Sequence, residues 1–199
     1  MSQKIILASG SAIRAELLTR ADVPYEVVKP RVDEEMVRAS LLAEGESPRN
    51  LADALAQLKS ERVGMKHPDA LTIGCDQVLD CEGKVFSKPE TPEQARDQIS
   101  ALSGKGHSLH TAAVIHEGGR PVWRKSAEVK LTMRTLSDSY IGSYVTRNWP
   151  AISWSCGAYQ VEAEGSRLFS RIDGDYFAIL GLPLLEILDY LILRGALET

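Results

Sequence analysis

Cysteine is scarce in this chain: Cys75, Cys81 and Cys156 are the only three, and no two form a CxxC pair. An odd, scattered set argues against a disulfide framework or a zinc site and for a reduced, cytoplasmic setting. Long apolar runs are missing too. The longest, Leu182 to Leu193, contains Glu186 and Asp189 and is too short to span a bilayer, so it reads as a buried C-terminal helix. Met1 to Ala8 holds one short apolar run before polar residues, which is not the pattern of a signal peptide. Positive charge is not in excess, because the net charge is −4. No global basic field is available for nucleic acid, and a polyanionic ligand would need a local cluster of Lys and Arg. There is no HExxH, no Gly-Lys-Ser/Thr of a Walker loop, no internal repeat and no low-complexity segment.

What remains is ordinary globular material: 199 residues, 44% hydrophobic and 25% charged. That length suits one sizeable domain, residues 1–199, with room for two lobes. Lys4 to Ser9 reads as a buried strand, and Ser11 as the N-cap of a helix through about Arg20. Tyr25 to Pro30 is expected to be extended, and Arg31 to Glu35 to form a loop. Helices are expected over Glu35–Glu44, Pro48–Val63, Pro92–Leu102 and Ser137–Val145. Ala70 to Cys75 reads as a strand ending at Asp76-Gln77, with a hairpin around Cys81-Glu82-Gly83-Lys84. His107–His116 and Val122–Thr135 alternate like paired strands around Gly118-Gly119. Short strands are expected near Gly157–Val161 and Ser166–Ile172. The mixture indicates an α/β or α+β architecture and not a clean Rossmann repeat.

Three groups of residues could carry chemistry. Ser9-Gly10-Ser11-Ala12-Ile13-Arg14 lies where a strand passes into a helix. Free backbone N–H groups and the positive dipole end favour phosphate there, and Arg14, one turn on, can reach the same side. An ordinary capped helix with a surface arginine is the plain alternative. Asp76, read at the carboxyl end of a buried strand, could hold Mg²⁺ or accept a proton from water; a turn aspartate is its plain alternative. Asp33-Glu34-Glu35 could share that metal, while Lys59 and Lys88 would neutralise phosphate charge; taken singly, each also fits a solvated surface. His107 and His110 sit at positions of opposite facing in one strand, which argues against chelation. Cys156 reads as a core or near-surface thiol. Trp149 and Trp154 could stack on a base, but buried packing is the commoner fate.

Together these segments resemble the Maf family of nucleoside triphosphate pyrophosphatases over nearly the whole chain. The resemblance runs through Ser9-Gly10-Ser11-Ala12-Ile13-Arg14, Val32-Asp33-Glu34, Lys59, Gly74-Cys75-Asp76-Gln77-Val78 and Lys88-Pro89. It continues through Leu102-Ser103-Gly104, His107, Thr111 and Gly181-Leu182-Pro183-Leu184. It implies a Maf/ITPase-like α/β fold: an elongated mixed sheet with flanking helices, two lobes and an active-site cleft between them. It also implies cleavage between the α- and β-phosphates with a divalent cation, Mg²⁺ or Mn²⁺, and often a homodimer. The charge balance and short apolar runs lead us to expect no nucleic-acid or membrane partner. By position, Asp76 would accept the proton, Glu34 would assist it or the metal, and both would be metal ligands. Ser9, Ser11, Arg14, Lys59 and Lys88 would bind the substrate phosphates.

Specificity is read from Ile13, Gln77 and Glu162. Members acting on dTTP and UTP carry Asp-Thr after the strand and Gln in the later Ala-Gly-x-Tyr-x-x-Gln segment. Here Gln77 and Glu162 occupy those places, as in the subgroup acting on 7-methyl-GTP. A carboxylate suits the N1–H and 2-amino donors of guanine, and its charge suits a cationic methylated ring. The chain departs from the family pattern at Trp154-Ser155, where Asp-Lys is usual, and at Ile13 and Ala178. A dTTP/UTP-type enzyme, a nucleotide-binding regulator of septum formation with little turnover, and a phosphomonoesterase are the competing readings.

Overall fold

The computed structural model describes residues 3–198. Its strands are β1 (Ile5–Ala8), β2 (Glu26–Val27), β3 (Leu71–Cys81), β4 (Lys84–Phe86), β5 (Gly106–Glu117), β6 (Arg120–Met133) and β7 (Phe169–Asp173). Its helices are α1 (Ala12–Arg20), α2 (Glu34–Ala43), α3 (Pro48–Gly64), α4 (Pro92–Leu102), α5 (Asp138–Asn148), α6 (Tyr176–Ile179) and α7 (Leu184–Leu193). The seven-stranded mixed sheet has the order β2-β1-β3-β5-β6-β7, with β4 paired to β3. Helices flank it, as expected of the α/β class. No described helix is long and apolar enough to cross a membrane.

The chain divides into two compact units. One comprises Met1–Gln77, His110–Ala127 and Asp175–Thr199; the other comprises Val78–Leu109 and Glu128–Gly174. In the first, β1 lies parallel to both β2 and β3. All four β1 side chains are buried because both of its faces are covered. Ile5 and Leu7 enter one apolar cluster with Leu17 and Leu18 of α1 and Ile187 and Leu191 of α7. Ile6 and Ala8 enter another with Val63 of α3. Gly74 of β3 sets the fit of α3, since a Cβ there would stand 2.2 Å from the carbonyl oxygen of Ala56 and 2.5 Å from the amide of Ser60.

In the second unit β3 folds back on β4 through Glu82-Gly83, whose φ angles of 54° and 80° give the left-handed pair a tight hairpin needs. Strand β7 runs antiparallel to β6. Side-chain caps delimit three helices: Ser47 accepts from Asn50 N at α3, Thr91 from Gln94 N at α4, and Ser137 from Tyr140 N at α5.

Four expectations are corrected. Strand β3 does not end at Asp76-Gln77 but continues to Cys81, so Asp76 is a mid-strand residue. The acidic loop is a helix start: Asp33 caps Met36 N, and Glu34 is the first residue of α2. No strand forms over 157–161, where Gly157 and Ala158 take φ of 80° and 58° and break the extended run. Trp154 does not pack inside but is 75% exposed.

Candidate active site

Alternation along β3 sorts its side chains. Gly74 and Asp76 face α3, while Ile73 and Cys75 belong to the cluster shared with α7. The close approach at Gly74 brings Lys59 of α3 onto Asp76. The Lys59 ammonium donates to Asp76 Oδ1 at 2.7 Å and lies 2.8 Å from Glu34 Oε2 at the start of α2. Lys59 and Asp76 are 5% and 4% exposed, so this is a buried ion pair with a second carboxylate at its edge. Such a pair is kept only with good geometry, because both charges give up hydration. Asp76 Oδ2 is buried and has no hydrogen-bond partner. An ionised oxygen without a partner is costly to bury and marks where a ligand would complete the site.

The turn after β1 gathers hydrogen-bond donors. Ser9 Oγ accepts from the amide of Ser11 at 3.1 Å and from Arg14 Nη1 at 3.4 Å. Ser11 caps α1 by backbone position alone, so its hydroxyl is not occupied by the helix. The first turn of α1 holds no acidic residue, leaving its dipole end uncompensated. Ser9, Gly10, Lys29, Pro30, Glu34 and Lys59 line a pocket of about 190 Å³.

Arg14 is more occupied than the sequence suggested. Its Nε donates to the carbonyl of Gly181 at 2.7 Å and its Nη1 to the carbonyl of Cys75 at 2.9 Å. Nη2 has no protein acceptor among the described residues. Gly181 makes this possible: its φ is 90°, and a Cβ would stand 2.9 Å from Arg14 Nε. Arg14 thus ties α1 to β3 and to the loop before α7, with one edge of the guanidinium left over. Cys75, between Asp76 and these contacts, has its thiol pushed up to about 11 by burial and is no nucleophile at neutral pH.

The specificity candidates separate. Gln77 faces away from Asp76, with Nε2 2.9 Å from Thr111 Oγ1 and from the carbonyls of Ala178 and Ile179. Thr111 donates to the same Ala178 carbonyl at 2.8 Å. The Gln77 amide therefore holds α6 in place. Ile13 packs on the apolar cluster under α1. Glu162 and Lys88 are exposed residues of the second unit. In that unit His107 is a core residue, with Nε2 2.9 Å from the Tyr159 hydroxyl and its ring against Phe169.

The sequence reading passed over Lys29. Its signal was the parallel register that sets the end of β2 beside Ser9 and Gly10, which no local pattern displays. For a metal, no group of three or more His, Cys, Asp or Glu is assembled among the described residues. Two carboxylates meeting at one ammonium, one with an orphaned oxygen, still fit a hard cation that takes one or two carboxylates plus substrate oxygens.

The family model described as Maf-like protein matches residues 4–193. A nucleoside triphosphate pyrophosphatase of Ruegeria pomeroyi is 55% identical over 199 residues, covering 100% of both chains. One from Roseobacter denitrificans is 53% identical over 99% of each chain, and one from Caulobacter vibrioides 46% identical over 98% of each. None of the three names specifies a base.

Proposed function

The chain belongs to the Maf-like family, and from that premise we propose that it hydrolyses nucleoside triphosphates to the monophosphate and pyrophosphate, residues 1–199 acting as one functional domain. The observation that carries this reading is the buried Lys59–Asp76 pair with its unpartnered Oδ2. Asp76 is held by Lys59 through Oδ1, so Oδ2 is free to take a proton from water as the water oxygen bonds to the α-phosphorus. The bond from that phosphorus to the bridging oxygen breaks, and pyrophosphate leaves with the electron pair. Lys59 orients Asp76 through its contact with Oδ1, and Glu34 shares the ammonium from the other side. The Ser9 and Ser11 hydroxyls, the open amides of α1, the free edge of Arg14 and the exposed Lys88 bind phosphate oxygens. When a divalent cation, Mg²⁺ or Mn²⁺, is bound, Asp76 and Glu34 would hold it, and it supplies charge neutralisation across the phosphates.

For the base, we propose a preference for a guanine-type ring such as that of 7-methyl-GTP over dTTP and UTP. Glu162 supplies the carboxylate, and Gln77 acts indirectly through Thr111 and α6. Incubating the protein with a nucleotide panel and Mg²⁺ or Mn²⁺, and resolving the products, tests both parts. Monophosphate and pyrophosphate are expected, with the largest kcat/KM for the methylated purine. Orthophosphate as first product, or tight binding without hydrolysis, would sink the hydrolytic reading; a pyrimidine preference would sink the role of Glu162.

A further inference from the structure

Within the pocket beside the α1 turn the charges balance in number but not in pairing. Lys59 is answered by two carboxylates, Glu34 and Asp76. Lys29 lines the same pocket and has no ion-pair or hydrogen-bond partner among the described residues. Its position follows from the sheet. Leu7 is level with Val27 in the parallel β1–β2 pair, and the amide of Val28 donates to the carbonyl of Leu7 at 3.0 Å. The chain therefore carries Lys29 alongside Ser9 and Gly10, where its aliphatic stem lies 3.8 Å from the nearest position a Gly10 Cβ would take. Pro30 restricts Lys29 to extended backbone, which keeps the stem on this line. A lysine on the wall of a pocket, next to open helix amides and without an ion-pair contact of its own, is complementary to an anion.

We propose that Lys29 is a further binding residue of this site, contacting the phosphate tail of the nucleotide. The proposal rests on the triphosphate reading above but concerns binding rather than turnover. Lys29 adds an ammonium without an ion-pair contact of its own, which Lys59, engaged by two carboxylates, does not provide. Because the ammonium is exposed, it acts in both ground and transition states and governs KM more than kcat.

The test uses the full chain and an α,β-methylene nucleoside triphosphate, with dissociation constants measured by calorimetry for wild type, Lys29→Gln, Lys29→Arg and the control Lys66→Gln. Lys66 is an exposed lysine that does not line this pocket. Lys29→Gln should bind roughly 5- to 10-fold more weakly, the effect of one partly exposed charge-assisted contact. Lys29→Arg should stay within about two-fold of wild type, and Lys66→Gln should match it. Equal affinity of Lys29→Gln and wild type overturns the proposal, as does an equal loss in Lys66→Gln. Pyrophosphate release by wild type is assayed in parallel. Binding without release would sink the hydrolytic reading while leaving Lys29 intact; no binding by wild type would sink both.

Discussion

Each unit buries a polar residue of a strand, and the two do so in opposite ways. In the first, Asp76 of β3 is buried as a charge beside Lys59, with one oxygen unanswered. In the second, His107 of β5 is buried as a neutral ring, against Tyr159 and Phe169, and desolvation pushes its pKa down to about 4. Both leave one atom unanswered, since His107 Nδ1 also lacks a partner. But a fold that needed only stability would not bury a charge pair, because an apolar replacement of similar volume is often as stable. The difference is one of charge: the first unit keeps a buried ion pair, as the proposed site requires, and the second neutralises its titratable ring.

The largest break in that contrast comes from Lys59→Met, which leaves Asp76 buried without its cation. Removing one partner of a buried pair costs about 3–5 kcal/mol, read as a fall in the free energy of urea unfolding. A change near zero would mean that the pair is solvated. Gly74→Ala attacks the same pair through the backbone. The new methyl meets the Ala56 carbonyl, and α3 must move off β3. A loss of about 3 kcal/mol is expected, with turnover falling because Lys59 leaves Asp76. Wild-type activity in a destabilised Gly74→Ala would separate the packing from the site.

The second unit is probed by pH. The unfolded chain binds a proton on His107 near pH 6.5, whereas the folded ring binds one only near 4. Stability from this residue is therefore present above pH 6.5 and lost as pH falls through that window towards 4, by roughly 3 kcal/mol in all. His107→Gln, which keeps a side-chain partner for Tyr159, should remove that part of the pH slope; an unchanged slope would place the proton elsewhere. Smallest of all, Trp154→Ala should shift stability by no more than about 0.5 kcal/mol, since the ring is exposed.

Local chemistry in the sequence accounts for much of this architecture. Ser47-Pro48, Thr91-Pro92 and Ser137 mark helix starts whose caps the structure contains. Gly118-Gly119, at φ of 57° and 76°, marks the β5–β6 turn. What escaped depends on partners far along the chain. Asp76 and Gln77 look like the end of a strand because their partners, Lys59 and Thr111, lie 17 and 34 residues away. Arg14 looks like a free phosphate ligand because the Gly181 carbonyl that holds it is 167 residues off. Lys29 enters the pocket through strand register, and a reading of its neighbours contains no trace of that. Asp76, Lys59 and Glu34 were legible as a set through the family resemblance, and the structure brings those three together in one unit.

The most direct measurement is the rate of pyrophosphate release by Asp76→Asn, alongside wild type, with unfolding curves for both. The amide can still meet Lys59 through its oxygen but cannot take a proton. The variant should stay folded while kcat falls by at least about 100-fold, the scale of a lost general base. A folded Asp76→Asn that releases pyrophosphate at the wild-type rate would contradict the account.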